Sequence, residues 1–253
     1  MSILALRGLT QRFGGLVAVK EVDFEIAEGS IVAMIGPNGA GKSTVFNVIT
    51  GIYRPSAGTV EFNGSAIQGR KTSDIAALGI ARTFQNIRLF AFMSALDNVM
   101  TGRHPRMRAT LADALLRTPF AVKEERSVND RAHEILNFCG LERDAHTFAT
   151  NLPYGAQRRL EIARALASDP KLLLLDEPAA GMNPIEKEEL IGLIRRIRDT
   201  GVTIFLIEHD MGLVMKISER IAVLDYGEKI AEGPPEAIRT NERVIEAYLG
   251  KPA

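Results

Sequence analysis

An α/β fold with a largely parallel sheet is predicted, and three observations predict it. Lys171-Leu-Leu-Leu-Leu-Asp-Glu177 and Val202-Thr-Ile-Phe-Leu-Ile207 are unbroken apolar runs of strand length, the pattern of parallel strands buried on both faces. A third run, Ser30-Ile-Val-Ala-Met-Ile35, passes directly into Gly36-Pro-Asn-Gly-Ala-Gly-Lys-Ser-Thr44 and then Val45-Phe-Asn-Val-Ile49, a succession of strand, loop and helix. Alternation ahead of that loop adds an antiparallel β lobe, and a helical stretch adds a second lobe within the chain. One domain is expected over residues 1–253, with the β lobe and core in 1–85 and 159–253 and the helical lobe in 86–158.

At the start of the chain Ile3, Ala5 and Leu9, then Val22, Phe24 and Ile26, alternate with other residues and read as two half-exposed antiparallel strands. Between them Arg12-Phe13-Gly14-Gly15 sets an aromatic ring beside two glycines. After the glycine-rich loop and its helix, Gly51–Gly58 is turn-rich, Thr59–Gly64 reads as a short edge strand, and Ile80–Gln85 as a strand ending in a carboxamide. Ser94 and Asp97 form a capping-box pattern, and Val128, Ala132, Ile135, Leu136 and Cys139 fall at helical spacing. Arg103, Arg106, Arg108, Arg117, Lys123 and Arg126 make a basic, poorly periodic stretch, a solvated face or a contact with acidic loops or lipid headgroups. Leu160, Ala163 and Ala167 share one helical face, and Asp169-Pro170 ends that helix. Asn183-Pro184 is an N-cap followed by proline at the first helical position, and Gly201 stops the helix. Strand and turn signals return at Arg220–Asp225 and Lys229–Glu232, and a helix is expected from Pro235 to Leu249.

The segment from Gly36 to Thr44 matches G-x-x-x-x-G-K-[ST] in full. Its glycines let successive backbone N–H groups turn inward as an anion-binding concavity, and the following helix aims the positive end of its dipole at the same place. Gly36, Pro37, Asn38, Gly39, Ala40, Gly41, Lys42, Ser43 and Thr44 are therefore the candidate phosphate-binding residues. Lys42 would reach the outer phosphates and the Ser43 hydroxyl would ligate Mg²⁺, which makes the chain a P-loop NTPase by expectation. Open α/β sheets place ligands beyond the carboxyl ends of their strands, and two runs deliver chemistry there. Asp176 would hold the metal and Glu177 would take a proton from the attacking water. His209 arrives at the same edge within Glu208-His-Asp210, placed to hydrogen-bond a phosphate or that water. Gln85, at its strand end, could offer an oxygen to Mg²⁺ or to a water.

Composition bounds the partners. Lys plus Arg and Asp plus Glu are both 31, so no global field draws the chain to nucleic acid or anionic lipid. With 46% hydrophobic residues it can bury a large core. The single Cys139 allows no internal disulfide and fits a reducing compartment. No apolar run approaches the roughly 20 residues of a membrane span, and Met1–Arg7 lacks the pattern of a signal peptide, so a cytoplasmic location is expected.

Gly36–Thr44, Gln85, Leu152–Arg158, Leu172–Glu177 and His209, in that order, resemble the ATPase domain of ABC transporters. Gln11–Ala18, Arg82–Phe90, Asp176–Pro184 and Val244–Leu249 are most similar to the ATP-binding subunits of bacterial branched-chain amino-acid importers. The resemblance implies a RecA-like core and a helical lobe that docks to integral membrane permease subunits near Gln85. Two ATPases, this chain twice or with a paralogue, would hold two ATP molecules head to tail. By the same analogy Phe13 would stack on adenine, Tyr154 and Gly155 would face the other protomer's γ-phosphate, and Asn183 would stand where the two sites communicate. A periplasmic solute-binding protein would be an indirect partner, nucleic acid would not, and the chain would lie on the inner face of the cell membrane. Lipopolysaccharide-export ATPases and non-transport ABC ATPases are the alternatives; the long helical lobe favours the importer, and no coiled coil or tandem cassette supports the latter. Two positions depart from the family pattern. Pro153 stands where a serine usually contacts phosphate, in Leu152-Pro-Tyr-Gly-Ala156, and Asn183 replaces a common Asp.

Overall fold

The structure, a computed structural model, describes residues 2–249. The chain divides into two compact units, one formed by the stretch up to Arg82 together with that from Lys171 onward, the other by Thr83–Pro170. The second takes in the whole helix Tyr154–Leu166, whereas the expected lobe ended at residue 158.

In the first unit, strands β1 (Ser2–Phe13), β2 (Leu16–Ala27), β4 (Ala57–Phe62) and β5 (Ser65–Ala66) form an antiparallel sheet in the order β2-β1-β4-β5. β4 is not the edge the turn signals suggested, because the two-residue β5 pairs outside it. The alternation holds in β2, but Ile3, Leu4, Ala5 and Leu6 are buried in succession, so β1 is covered on both faces there. The second sheet contains β3 (Ile31–Ile35), β6 (Ile80–Arg82), β7 (Leu172–Asp176), β8 (Thr203–Ile207), β9 (Arg220–Asp225) and β10 (Glu228–Gly233) in the order β10-β9-β3-β8-β7-β6. All of its pairs are parallel except β10 with β9. Every residue of β3, β7 and β8 is buried, as the unbroken apolar runs require. Helix α1 (Lys42–Ile49) joins the two sheets into one apolar cluster through Phe46 and Ile49, which pack with Leu6, Phe62, Met34 and Phe205.

Strand β6 stops at Arg82, three residues short of the expected strand end. Before it lies α2 (Thr72–Leu78), and in the second unit follow α3 (Ala95–Gly102), α4 (Leu111–Leu115), α5 (Pro119–Phe138) and α6 (Tyr154–Leu166). Ser94 caps α3 by accepting from the Asp97 N–H at 3.0 Å, and α5 buries Val128, Ala132, Ile135 and Leu136. Back in the first unit, α7 (Pro184–Asp199) starts in a full capping box: the Asn183 side chain accepts from the Ile185 and Glu186 N–H groups, and Glu186 accepts from the Asn183 N–H. After α8 (Met211–Ile217) the expected C-terminal helix is two, α9 (Pro235–Arg239) and α10 (Glu242–Leu249), because the Asn241 side chain caps a fresh start. No described helix is long and apolar enough to cross a membrane.

Candidate nucleotide site

Strand order builds the site. In the parallel sheet β3, β8 and β7 are consecutive neighbours, with Met34 opposite Ile207 and Ile207 opposite Asp176. Their C-terminal ends therefore release Gly36, Glu208 and Glu177 side by side. Gly36 leaves β3 at φ 149°, and a Cβ there would lie 2.0 Å from the Leu224 carbonyl oxygen, so only glycine lets the chain turn. Gly41 is constrained in the same way, at φ 101° with a would-be Cβ 2.4 Å from the Ala18 carbonyl oxygen. The Lys42 ammonium bends back over the loop, donating to the Gly36 and Pro37 carbonyls at 2.7 and 2.9 Å. Burial holds its pKa below the ordinary lysine value, against the opposing pull of Glu177 and Asp176. A cation in so little water, at the N-terminus of the helix that follows the glycine-rich loop, is matched to a polyanion. Asn38 and Gly39 at the loop tip and Ser43 at the first turn of α1 are exposed.

At the end of β7, Asp176 is buried and paired with Arg82, whose guanidinium donates to Asp176 Oδ2 at 2.7 Å and to Asn47 Oδ1 at 2.7 Å. Glu177 follows in the left-handed region at φ 48°, an uncommon conformation for a residue with a side chain. Its Oε2 stands 3.6 Å from His209 Nδ1, and the His209 ring is 61% exposed where Glu177 is 19% exposed. Phe13, at the end of β1, is 42% exposed and meets Tyr53 edge-on at 5.1 Å, so it presents a ring face outward rather than filling the core. Asn183 is exposed and spends its side chain on the α7 cap.

Gln85, Tyr154 and Gly155 belong to the second unit. Gln85 and Tyr154 are exposed and Gly155 is buried. Pro153 is the N-cap residue of α6 and caps it with no side-chain hydrogen bond, in keeping with its missing hydroxyl. Arg158, 4% exposed, donates to the Gln85 carbonyl at 2.5 Å, the Phe84 carbonyl at 3.0 Å and the Tyr154 hydroxyl at 3.0 Å. Glu161, 2% exposed, accepts from the Phe84 and Arg88 N–H groups at 3.3 and 3.4 Å, and desolvation raises its pKa despite those bonds. This buried pair on α6 fixes the backbone around Gln85.

Comparison with known proteins decides the family. The ABC transporter family matches residues 19–180, and the branched-chain amino acid ATP-binding cassette transporter family matches residues 228–253. The chain belongs to the ABC transporter family. It is 48% identical, over 98% of both chains, to the high-affinity branched-chain amino acid transport ATP-binding protein LivG of Salmonella typhimurium. To the corresponding protein BraF of Pseudomonas aeruginosa it is 47% identical over 98% of both. Among solved structures it is similar to the ADP conformation of an ATP-binding cassette of an ABC transporter, with a TM-score of 0.87 and 30% identity over 99% of this chain and 100% of that one. ATP hydrolysis is the activity of this family, and the chain is an ATPase of the P-loop class.

For an ABC ATPase the donor set fits magnesium. Asp176 and Ser43 offer hard oxygens, and among the described residues no group of three or more His, Cys, Asp or Glu forms a dedicated metal cage. Mg²⁺ held by one carboxylate, one hydroxyl, phosphate oxygens and waters needs no such cage. Sequence reasoning passed over Arg82, Glu208, Arg158 and Glu161. Arg158 ends the Leu152–Arg158 stretch and Glu161 lies three residues beyond it, so a charged pair at i and i+3 on a helix was the available signal. Arg82 carried none, being an arginine three residues before Gln85 in an unremarkable strand.

Proposed function

We propose that this chain is the ATP-hydrolysing subunit of an importer for branched-chain or related amino acids. The observation that carries the reading is the convergence of the Lys42 loop, the Asp176–Glu177 pair and His209 at three adjacent strand ends, joined to a C-terminal segment of the branched-chain amino-acid type. Lys42 and the N–H groups of residues 36–44 bind the β- and γ-phosphates of ATP, and Phe13 stacks on the adenine. Asp176 and Ser43, with the Gln85 carboxamide, would hold Mg²⁺, which would supply positive charge to the transferring phosphoryl group. Glu177 accepts the proton of the attacking water while His209 donates to the γ-phosphate. As the water oxygen bonds to phosphorus, the bond to the β-phosphate oxygen breaks and ADP leaves.

Two cassettes close head to tail, with Tyr154 and Gly155 of each facing the other's γ-phosphate and Asn183 between the sites. Closure and reopening shift the permease subunits between two orientations. The second cassette is a paralogue or another copy of this chain. The assembly sits on the inner face of the bacterial cell membrane and takes solute from a periplasmic binding protein. Mass spectrometry of the complex extracted gently from its native membrane tests this. Two integral membrane proteins, a second ATPase and an amino-acid-binding protein are expected; lipopolysaccharide-export components or nucleic acid in their place would overturn the transport reading.

A further inference from the structure

The loop after β8 carries a carboxylate that the hydrolysis scheme leaves unused. Glu208 is 0% exposed. Its Oε1 accepts from the Ala179 N–H at 2.9 Å, and its Oε2 accepts from the His209 and Asp210 N–H groups at 3.0 and 3.3 Å. One oxygen is thus given to the loop after β7 and the other to the loop after β8. A carboxylate is tolerated out of water only when its lone pairs are filled, and here backbone N–H groups fill them.

What these bonds hold is the geometry of the reacting groups. Ala179 lies two residues beyond Glu177, and the Ala180 N–H closes the intervening turn onto the Glu177 carbonyl at 3.2 Å. From the other side the Glu177 N–H donates to the Ile207 carbonyl at 2.9 Å, just before Glu208. Glu177 itself keeps a positive φ of 48°, which persists only where the surroundings over-determine it. Glu208 is the buried side chain that ties the far end of this turn to the backbone of His209.

We propose that Glu208 is a positioning residue for ATP hydrolysis, a buried clamp that holds the loops after β7 and β8 together so that Glu177 and His209 face one another at 3.6 Å. The inference rests on the assignment of Glu177 as the base. A glutamine at 208 has the same shape but one oxygen instead of two, so its NH₂ must confront an N–H donor at one of the loops. A small misplacement of reacting groups is enough to cost orders of magnitude in rate.

The test is steady-state ATPase of the full-length E208Q protein in its membrane complex, across a titration of Mg-ATP, with hydrogen exchange of the same protein. The clamp predicts that kcat falls about ten- to a hundredfold while KM stays within about twofold, because the phosphate loop is untouched. It also predicts faster exchange confined to the amides of residues 179–180 and 209–210. A wild-type kcat, or a KM that rises in step with the loss of kcat, overturns the clamp, as does faster exchange spread over the whole sheet. Should E208Q fail to fold, E208D carries the same test: it keeps the charge but is one methylene too short to reach Ala179, and the same kcat loss at constant KM is expected. E177Q measured alongside separates the two ideas. Turnover by E177Q at the wild-type rate would refute the base itself, whereas an inactive E177Q beside a fully active E208Q refutes the clamp alone.

Discussion

Replacing Arg82 by methionine should destabilise the nucleotide-free protein by about 3–5 kcal/mol, the cost of stranding one member of a buried ion pair. The figure follows from geometry: the Arg82 and Asp176 side chains are 8% and 6% exposed and 2.7 Å apart, and the guanidinium also holds Asn47 at 2.7 Å. Were the same pair on the surface, the loss would be about 0–1 kcal/mol, so burial decides the magnitude. Against a total stability of roughly 5–15 kcal/mol this is a large fraction, visible as a lowered urea midpoint. Asp176 is also the carboxylate proposed to hold magnesium, so saturating Mg-ATP should restore part of the loss by supplying positive charge at the same carboxylate. Adding D176N should likewise make R82M less harmful, since no buried charge is then left unpaired. Urea unfolding of the four proteins, with and without Mg-ATP, measures all of this. A loss below about 1 kcal/mol for R82M, or an R82M/D176N protein no more stable than R82M, would show that the pair does not carry the strand end.

Three further expectations rest on separate observations. Arg158→Met should cost up to about 3–5 kcal/mol by removing the ion-paired one of the two cations, Arg158 and Arg164, that act on buried Glu161, and R158M/E161L should recover much of it; equal stability of the two variants in denaturant would contradict the pairing. Phe13→Ala should leave stability within about 1 kcal/mol of wild type, as the ring is half exposed, yet weaken ATP binding by about 1–3 kcal/mol in a calorimetric titration; unchanged affinity removes the stacking role. Asp210 is held below its ordinary pKa of 3.8 by Lys187 at 2.5 Å and by the Leu213 N–H at 3.1 Å. A depressed carboxylate stabilises the fold above its unfolded pKa and loses that contribution as pH falls through the lower folded value. The stability gap between wild type and Asp210→Asn should thus be steady from neutral pH down to about 5 and shrink below about 4, and a gap that widens in acid would reverse the sign.

The phosphate loop, the buried strands and the acids at their ends were legible because their causes are local. Glycine where φ is positive, an unbroken apolar run and a carboxylate at its end sit within a few residues of each other, so spacing alone carries them. Boundaries were less secure where pairing decides them: β4 lost its edge to the two-residue β5, and the C-terminal helix split at a single asparagine side chain. The sequence by itself determined the fold class and the nucleotide chemistry, and it marked the residues proposed to touch the nucleotide. Only the tertiary structure decided which groups hold those residues still. Arg82 reaches Asp176 across 94 residues of chain, Arg158 reaches Gln85 across 73, and Glu208 reaches Ala179 across 29. Their physical reason is shared: a buried charge must find its partners wherever the fold brings N–H groups, carbonyls or opposite charge within hydrogen-bond reach, and no local spacing records that encounter.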